Sequence, residues 1–140
     1  MVGVKQVAVI DPGPDLNEHV GRLVSELAGA EGVAVVLPHG HADHAAAARR
    51  LAERLGTEVW GPSGISVVDN ELEDGEEVPT DEGHLVALHT PGHARHHVSF
   101  HWPDYRALFA GDLLLGEGAV SYTHLRAHET RHELVCRLLL

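Results

Sequence analysis

His39-Gly40-His41-Ala42-Asp43-His44 places four potential metal donors within six residues. The hexad follows a continuous apolar run, Val33 to Leu37, which Pro38 closes. It precedes an alanine-rich stretch, Ala45 to Leu55, with leucines at 51 and 55 and Gly56 placed to stop it. That order reads as a buried strand, a loop and a helix. Loops at the C-terminal ends of strands are where layered α/β proteins commonly present functional groups. Imidazole and carboxylate are the nitrogen and oxygen donors that suit zinc. By composition alone, H-x-H-x-D-H should arise in roughly one of 160 such sequences, so the surrounding pattern has to decide.

Upstream, Val4 to Ile10 reads as a buried strand ended by Asp11-Pro12-Gly13-Pro14, with Asp15 placed to cap a helix. Val20, Leu23, Val24 and Leu27 keep helical spacing from Leu16 to about Ala30, and Gly32 breaks the pattern. Downstream, Thr57 to Trp60 is a short strand closed by Gly61-Pro62. Residues 69–83 are acidic and turn-rich, with a hairpin strand near Glu76 to Pro79, and His84 to His89 alternates as a strand. His97 to Trp102 and Arg106 to Ala110 read as antiparallel strands joined at Pro103-Asp104. There is no internal repeat, and this order predicts an α/β layered architecture.

The bulk numbers narrow the function. One domain fits 140 residues, of which 44% are hydrophobic and 22% charged. No apolar run is long enough to span a membrane and no secretory signal is visible, so the cytoplasm is the expected compartment. The net charge of -11 gives no support for a nucleic-acid partner, and Arg49, Arg50 and Arg54 read as a solvated helix face. Cys136 is the single cysteine, so no internal disulfide forms and a cysteine nucleophile is not expected. No G-x-S-x-G serine motif occurs. Thirteen dispersed histidines point instead to metal or proton chemistry.

Three further motifs accompany the hexad: Ile10-Asp11-Pro12-Gly13, Thr90-Pro91-Gly92-His93 and Phe109-Ala110-Gly111-Asp112. In that order and spacing the four resemble the metallo-β-lactamase superfamily over roughly residues 4 to 119. The resemblance implies an α/β fold, the αββα sandwich, of which this chain reads as a truncated first half. It implies His39, His41 and His93 on one metal, Asp43 and His44 on a second, and Asp112 bridging the two. Zinc is the expected cofactor, two ions in the complete parent, and iron or manganese also suit such donors. Asp43 is expected to orient the nucleophile or shuttle its proton as well as bind metal.

Residues 90–100 and 110–118 look most like the β-lactamase-like protein 2 branch, with hydroxyacylglutathione hydrolases nearby. The implied function is metal-dependent hydrolysis of an ester, thioester, lactam or phosphodiester bond in a small-molecule substrate, by a hydroxide bridging the metals. The alternative is a truncated, inactive fragment that only binds zinc, and this is the expected state of the 140-residue chain. Oligomeric state is not legible.

The chain departs from the family in several places. No Gly-His element follows Asp112 to complete the second site, Pro38 replaces a common threonine, and the family's opening hairpin ahead of Val4 is expected to be lacking. His97 is expected to support the third-histidine loop. His96 stands where glycine is common and is read as outside the metal and substrate contacts. His19, His84, His89 and His101 are read as surface or strand residues, and Asp11 as structural or supporting rather than a ligand.

Residues 120–140 differ from what precedes them. Ser121 to Thr130 resembles a translated transposase-type sequencing adapter, and Leu134 to Leu140 the translated flanking primer site. The expected division is therefore 1–119 as metallo-β-lactamase domain and 120–140 as a non-native tail.

Overall fold

The computed structural model describes residues 1–114 and 137–139. Two sheets carry the fold. The first is parallel, in the order β1 (Gln6–Ile10), β2 (Gly32–Val36), β3 (Val59–Gly61), β4 (Asn70–Glu71). The second is antiparallel, in the order β5 (Glu77–Thr80), β6 (Gly83–His89), β7 (Val98–Trp102), β8 (Ala107–Phe109), β9 (Arg137–Leu139). Helices α1 (Asn17–Glu26), α2 (Ala42–Ala45) and α3 (Ala48–Leu55) connect the first strands.

The apolar runs of β1 and β2 are continuous because both faces are buried, as in parallel sheets generally. Val7, Val9 and Val35 pack with Val20, Leu27, Leu51 and Val59 against the helices. Ala8, Ile10 and Val36 face the second sheet, meeting Leu85, Val98, Phe100 and Trp102. The described residues thus stack as helices, sheet and sheet, the architecture expected from the motifs. Among them, no helix is long and apolar enough to cross a membrane.

Three details depart from the sequence reading. The stretch 45–55 is two helices, not one, because the Ala47 N–H turns to the Gly13 carbonyl (3.2 Å). Helix α1 begins at Asn17 without a side-chain cap, since Asp15 pairs instead with Arg50 at 2.7 Å. Arg49 is likewise not merely solvated, reaching Asp69 at 2.9 Å and the Val67 carbonyl at 2.7 Å. The expected boundary at residue 120 falls outside the described residues.

Candidate metal centre

The site forms where the two sheets meet at the end of β2. The Val98 N–H donates to the Pro38 carbonyl (2.8 Å), tying the β2 terminus to β7. His39 and His41 follow at once, while His93 arrives from the β6–β7 loop and Asp112 from the short 3-10 turn after β8. Four donors from three chain segments therefore converge.

His41 Nδ1 lies 3.0 Å from both His39 Nε2 and His93 Nε2. Asp112 Oδ2 is 3.2 Å from His93 Nε2 and 3.7 Å from His39 Nε2. The rings of His39, His41 and His93 stand nearly perpendicular to one another, at 79–84°, which lets three in-plane lone pairs aim at one point. All four donor atoms lie within 4.8 Å of one another.

Zinc fits this set on its own geometry. Donors held about 2.0–2.1 Å from a tetrahedral ion are separated by about 3.3–3.4 Å; four of the six donor pairs, at 3.0–3.7 Å, bracket that value, and the whole set lies within 4.8 Å. A single proton on His41 Nδ1 cannot satisfy two facing imidazoles, whereas a cation satisfies every lone pair. His39 is fully buried, and burial, reinforced by the positive His44, lowers its pKa to about 3. It is neutral at pH 7, as a metal ligand must be.

Asp43 and His44 stand beside this set, outside it. His44 Nε2 is 3.4 Å from Asp112 Oδ1 and 3.6 Å from Asp43 Oδ2. The two oxygens of Asp112 thus face different histidines. Burial opposes a charge on His44, but hydrogen bonds to Asp11 and Asp112 outweigh it and raise its pKa to about 10. Burial also opposes ionisation of Asp112, yet His44, with His39 and His93 beyond it, holds its carboxyl below the usual range. The Asp43 side chain is 62% exposed.

His97 supports the centre as the sequence suggested. It is buried, and its Nε2 accepts the Asp112 N–H at 3.2 Å. That contact fixes the proton on Nδ1, which donates to Thr90 Oγ1 at 2.8 Å. Thr90 lies 3.0 Å from Ser99 Oγ, and Ser99 donates to the Ala110 carbonyl at 3.2 Å. This chain of bonds clamps the His93 loop to the Asp112 turn. Gly111 makes the approach possible: its φ is +53°, and a Cβ there would sit 2.7 Å from His97 Nε2.

Thr90 was legible only as part of the turn before His93 and Ser99 not at all, although a serine inside the buried run Val98 to Phe100 is a signal in itself. His19 was read as a surface residue, yet its Nε2 donates to the Pro12 carbonyl at 2.7 Å. His96 is exposed beside Gly64, and His84 and His101 lie partly buried on strands of the second sheet. Ile65 leans over Gly40, where a Cβ would meet it at 3.3 Å.

Comparison with known proteins agrees with this geometry. The family model described as the metallo-beta-lactamase superfamily matches residues 1–68 and 60–134. The chain belongs to the metallo-β-lactamase superfamily. Among this superfamily's members, hydroxyacylglutathione hydrolase GloC of Haemophilus influenzae is 29% identical over 81% of the chain and 64% of its own length. The beta-lactamase-like protein 2 homolog of Caenorhabditis elegans is 29% identical over 91% of the chain and 47% of its own length. The crystal structure of ETHE1 from Myxococcus xanthus superposes with a TM-score of 0.65 at 30% identity, covering 79% of this chain and 50% of that one. The chain spans about half the length of curated relatives it matches. Among the described residues, His39, His41, His93 and Asp112 form the single group of donors placed to hold a metal ion.

Proposed function

We propose that this chain is the zinc-holding portion of a metallo-β-lactamase-superfamily hydrolase and that, as a 140-residue polypeptide, it binds one metal without turning substrate over. The observation that carries this reading is the convergence of three neutral-capable imidazoles and one carboxylate on a common point. Zinc, when bound, supplies Lewis acidity, polarising a carbonyl or phosphoryl oxygen and making water nucleophilic near neutral pH. His39, His41 and His93 bind, and Asp112 adds the charge that favours a cation. Iron or manganese would suit the same donors.

Hydrolysis belongs, in this proposal, to a longer polypeptide of the relatives' length. There Asp43, His44 and Asp112 contribute to a second metal, a role favoured by the Asp112 Oδ1 to His44 distance of 3.4 Å. Asp43 carries the proton at its exposed Oδ2 and helps orient the nucleophile. The names of the relatives favour a small thioester, a hydroxyacyl-glutathione conjugate, as substrate. The net charge of -11 disfavours an RNA or DNA backbone. We further propose residues 1–119 as the native domain portion and 120–140 as a non-native tail, and the cytoplasm as its compartment.

The test offers S-lactoylglutathione and single-stranded RNA to the zinc-loaded chain and to the longer polypeptide recovered from source DNA. Thioester cleavage by the longer form alone is the expected result. Turnover by the 140-residue chain would overturn the inactive reading, and no thioester cleavage by either would overturn the thioester substrate assignment.

A further inference from the structure

The parallel sheet has two ends, and the metal donors gather at only one of them. At the other, where β1, β2 and β3 begin, a cavity of about 490 Å³ opens between the sheets. That volume lies within the roughly 300–1,000 Å³ of small-molecule sites. Gln6 of β1, Gly32 and Ala34 of β2 and Trp60 of β3 line it from the first sheet, and Val78 and Pro79 of β5 from the second. By the two-residue period of a strand these positions share the face that Ala8, Ile10 and Val36 turn to the second sheet.

The space exists because β2 is small there. Val36 fills this face further along, whereas Gly32 and Ala34 leave it open. A Cβ on Gly32 would run into the Gln6 carboxamide, so glycine is what lets that amide lie across the floor.

The polar groups are of one kind. No lysine or arginine lines the cavity, and Lys5, next to Gln6, is engaged with Glu31 at 2.8 Å. Thr57, also in the lining, spends its hydroxyl on the Val33 carbonyl. Asn70 Nδ2 donates to Glu58 Oε2 at 2.8 Å, which orients that carboxylate and leaves Oε1 without a partner among the described residues. The Gln6 carboxamide has none among them either. An indole, a negative oxygen and an amide oxygen beside apolar walls attract an ammonium and repel an anion. The net charge of -11 acts in the same direction.

We propose that this cavity is a second ligand site, separate from the metal centre, for a small organic cation: a primary ammonium on an aromatic stem. The ammonium donates to Glu58 Oε1 and Gln6 Oε1 beside the Trp60 indole, and the stem lies over Ala34 against Val78 and Pro79. The site needs no metal, so it and the metal-binding reading stand or fall separately.

The probe is phenethylamine, titrated with chelator present into the isotope-labelled 140-residue chain while the indole N–H signals are followed by NMR. Trp60→Phe assigns them. Trp102 is the internal reference, being buried outside the lining with its Nε1–H on the Glu82 carbonyl. Saturable movement of the Trp60 signal alone is expected. Phenylacetate, a similar aromatic stem carrying a carboxylate, should leave that signal in place. Glu58→Gln keeps an acceptor for Asn70 but loses the charge, and should weaken the amine about 10-fold with thermal unfolding unchanged.

A still Trp60 signal at the solubility limit of the amine would overturn the proposal. An equal response to phenylacetate, or equal amine affinity in Glu58→Gln, would do so too. Joint movement of Trp60 and Trp102 would also overturn it, as contact spread over the chain rather than at this cavity. The phenylacetate comparison holds whatever the stability of the variant.

Discussion

Replacing His97 with alanine should unfasten the centre without touching a proposed ligand. The imidazole is buried, accepts the Asp112 N–H at 3.2 Å and donates to Thr90 Oγ1 at 2.8 Å. Each such bond contributes about 1 kcal/mol net, and the Asp112 N–H left buried without a partner costs about 1–3 kcal/mol more. With the cavity left by the ring, the expected loss is roughly 3–5 kcal/mol, a large share of the roughly 5–15 kcal/mol that holds a typical domain. Urea unfolding of the metal-free chain, followed by the fluorescence of Trp60 and Trp102, would measure it. His97→Gln can still accept the Asp112 N–H and should recover about 1–2 kcal/mol of the loss. A loss below about 1 kcal/mol for His97→Ala would refute the clamp, since that is the ordinary cost of a neutral site.

Three other outcomes are expected. Asp81 is held below the usual carboxylate pKa by the Val4 N–H, with those of Lys5 and Gln6, against a smaller opposing effect of burial. Its stabilisation is therefore present above the unfolded-state value of 3.8 and lost as pH falls through the lower folded value; in acid titrations Asp81→Asn should flatten that limb and be less stable at neutral pH. Gly111→Ala should destabilise by about 1–3 kcal/mol, from a strained positive φ and a Cβ driven at His97; unchanged urea midpoints would contradict this. His101→Gln should leave zinc content untouched, because His101 lies on β7 away from the convergent set; lower content by plasma emission would place it wrongly.

The legible parts of the molecule were those written locally. Val33 to Leu37 announced a doubly buried strand because every residue in it is apolar, and the donors at 39 and 41 were legible from their spacing. His93 and Asp112 were legible only through the resemblance of Thr90-Pro91-Gly92-His93 and Phe109-Ala110-Gly111-Asp112 to the family's motifs. What escaped depends on partners far along the chain. Nothing in the alanine run 45–48 reveals the helix break, because the competing acceptor is Gly13. His19 looked like any exposed helical histidine until the fold brought Pro12 to it. Thr90 and Ser99 are ordinary strand-end residues in sequence, and only the antiparallel pairing of β6 with β7 places them on His97. Asp11 was read as a supporting residue, but its left-handed backbone could not be inferred for a non-glycine position.

The central claim is that His39, His41, His93 and Asp112 form a competent metal site, and metal content per chain tests it most directly. The chain and its His41→Ala variant would be dialysed against buffered zinc and measured for zinc and protein together. At least one tightly held zinc in the wild type, with that equivalent lost in His41→Ala, is the expected result. Equal zinc in both forms, or none in the wild type, would contradict it.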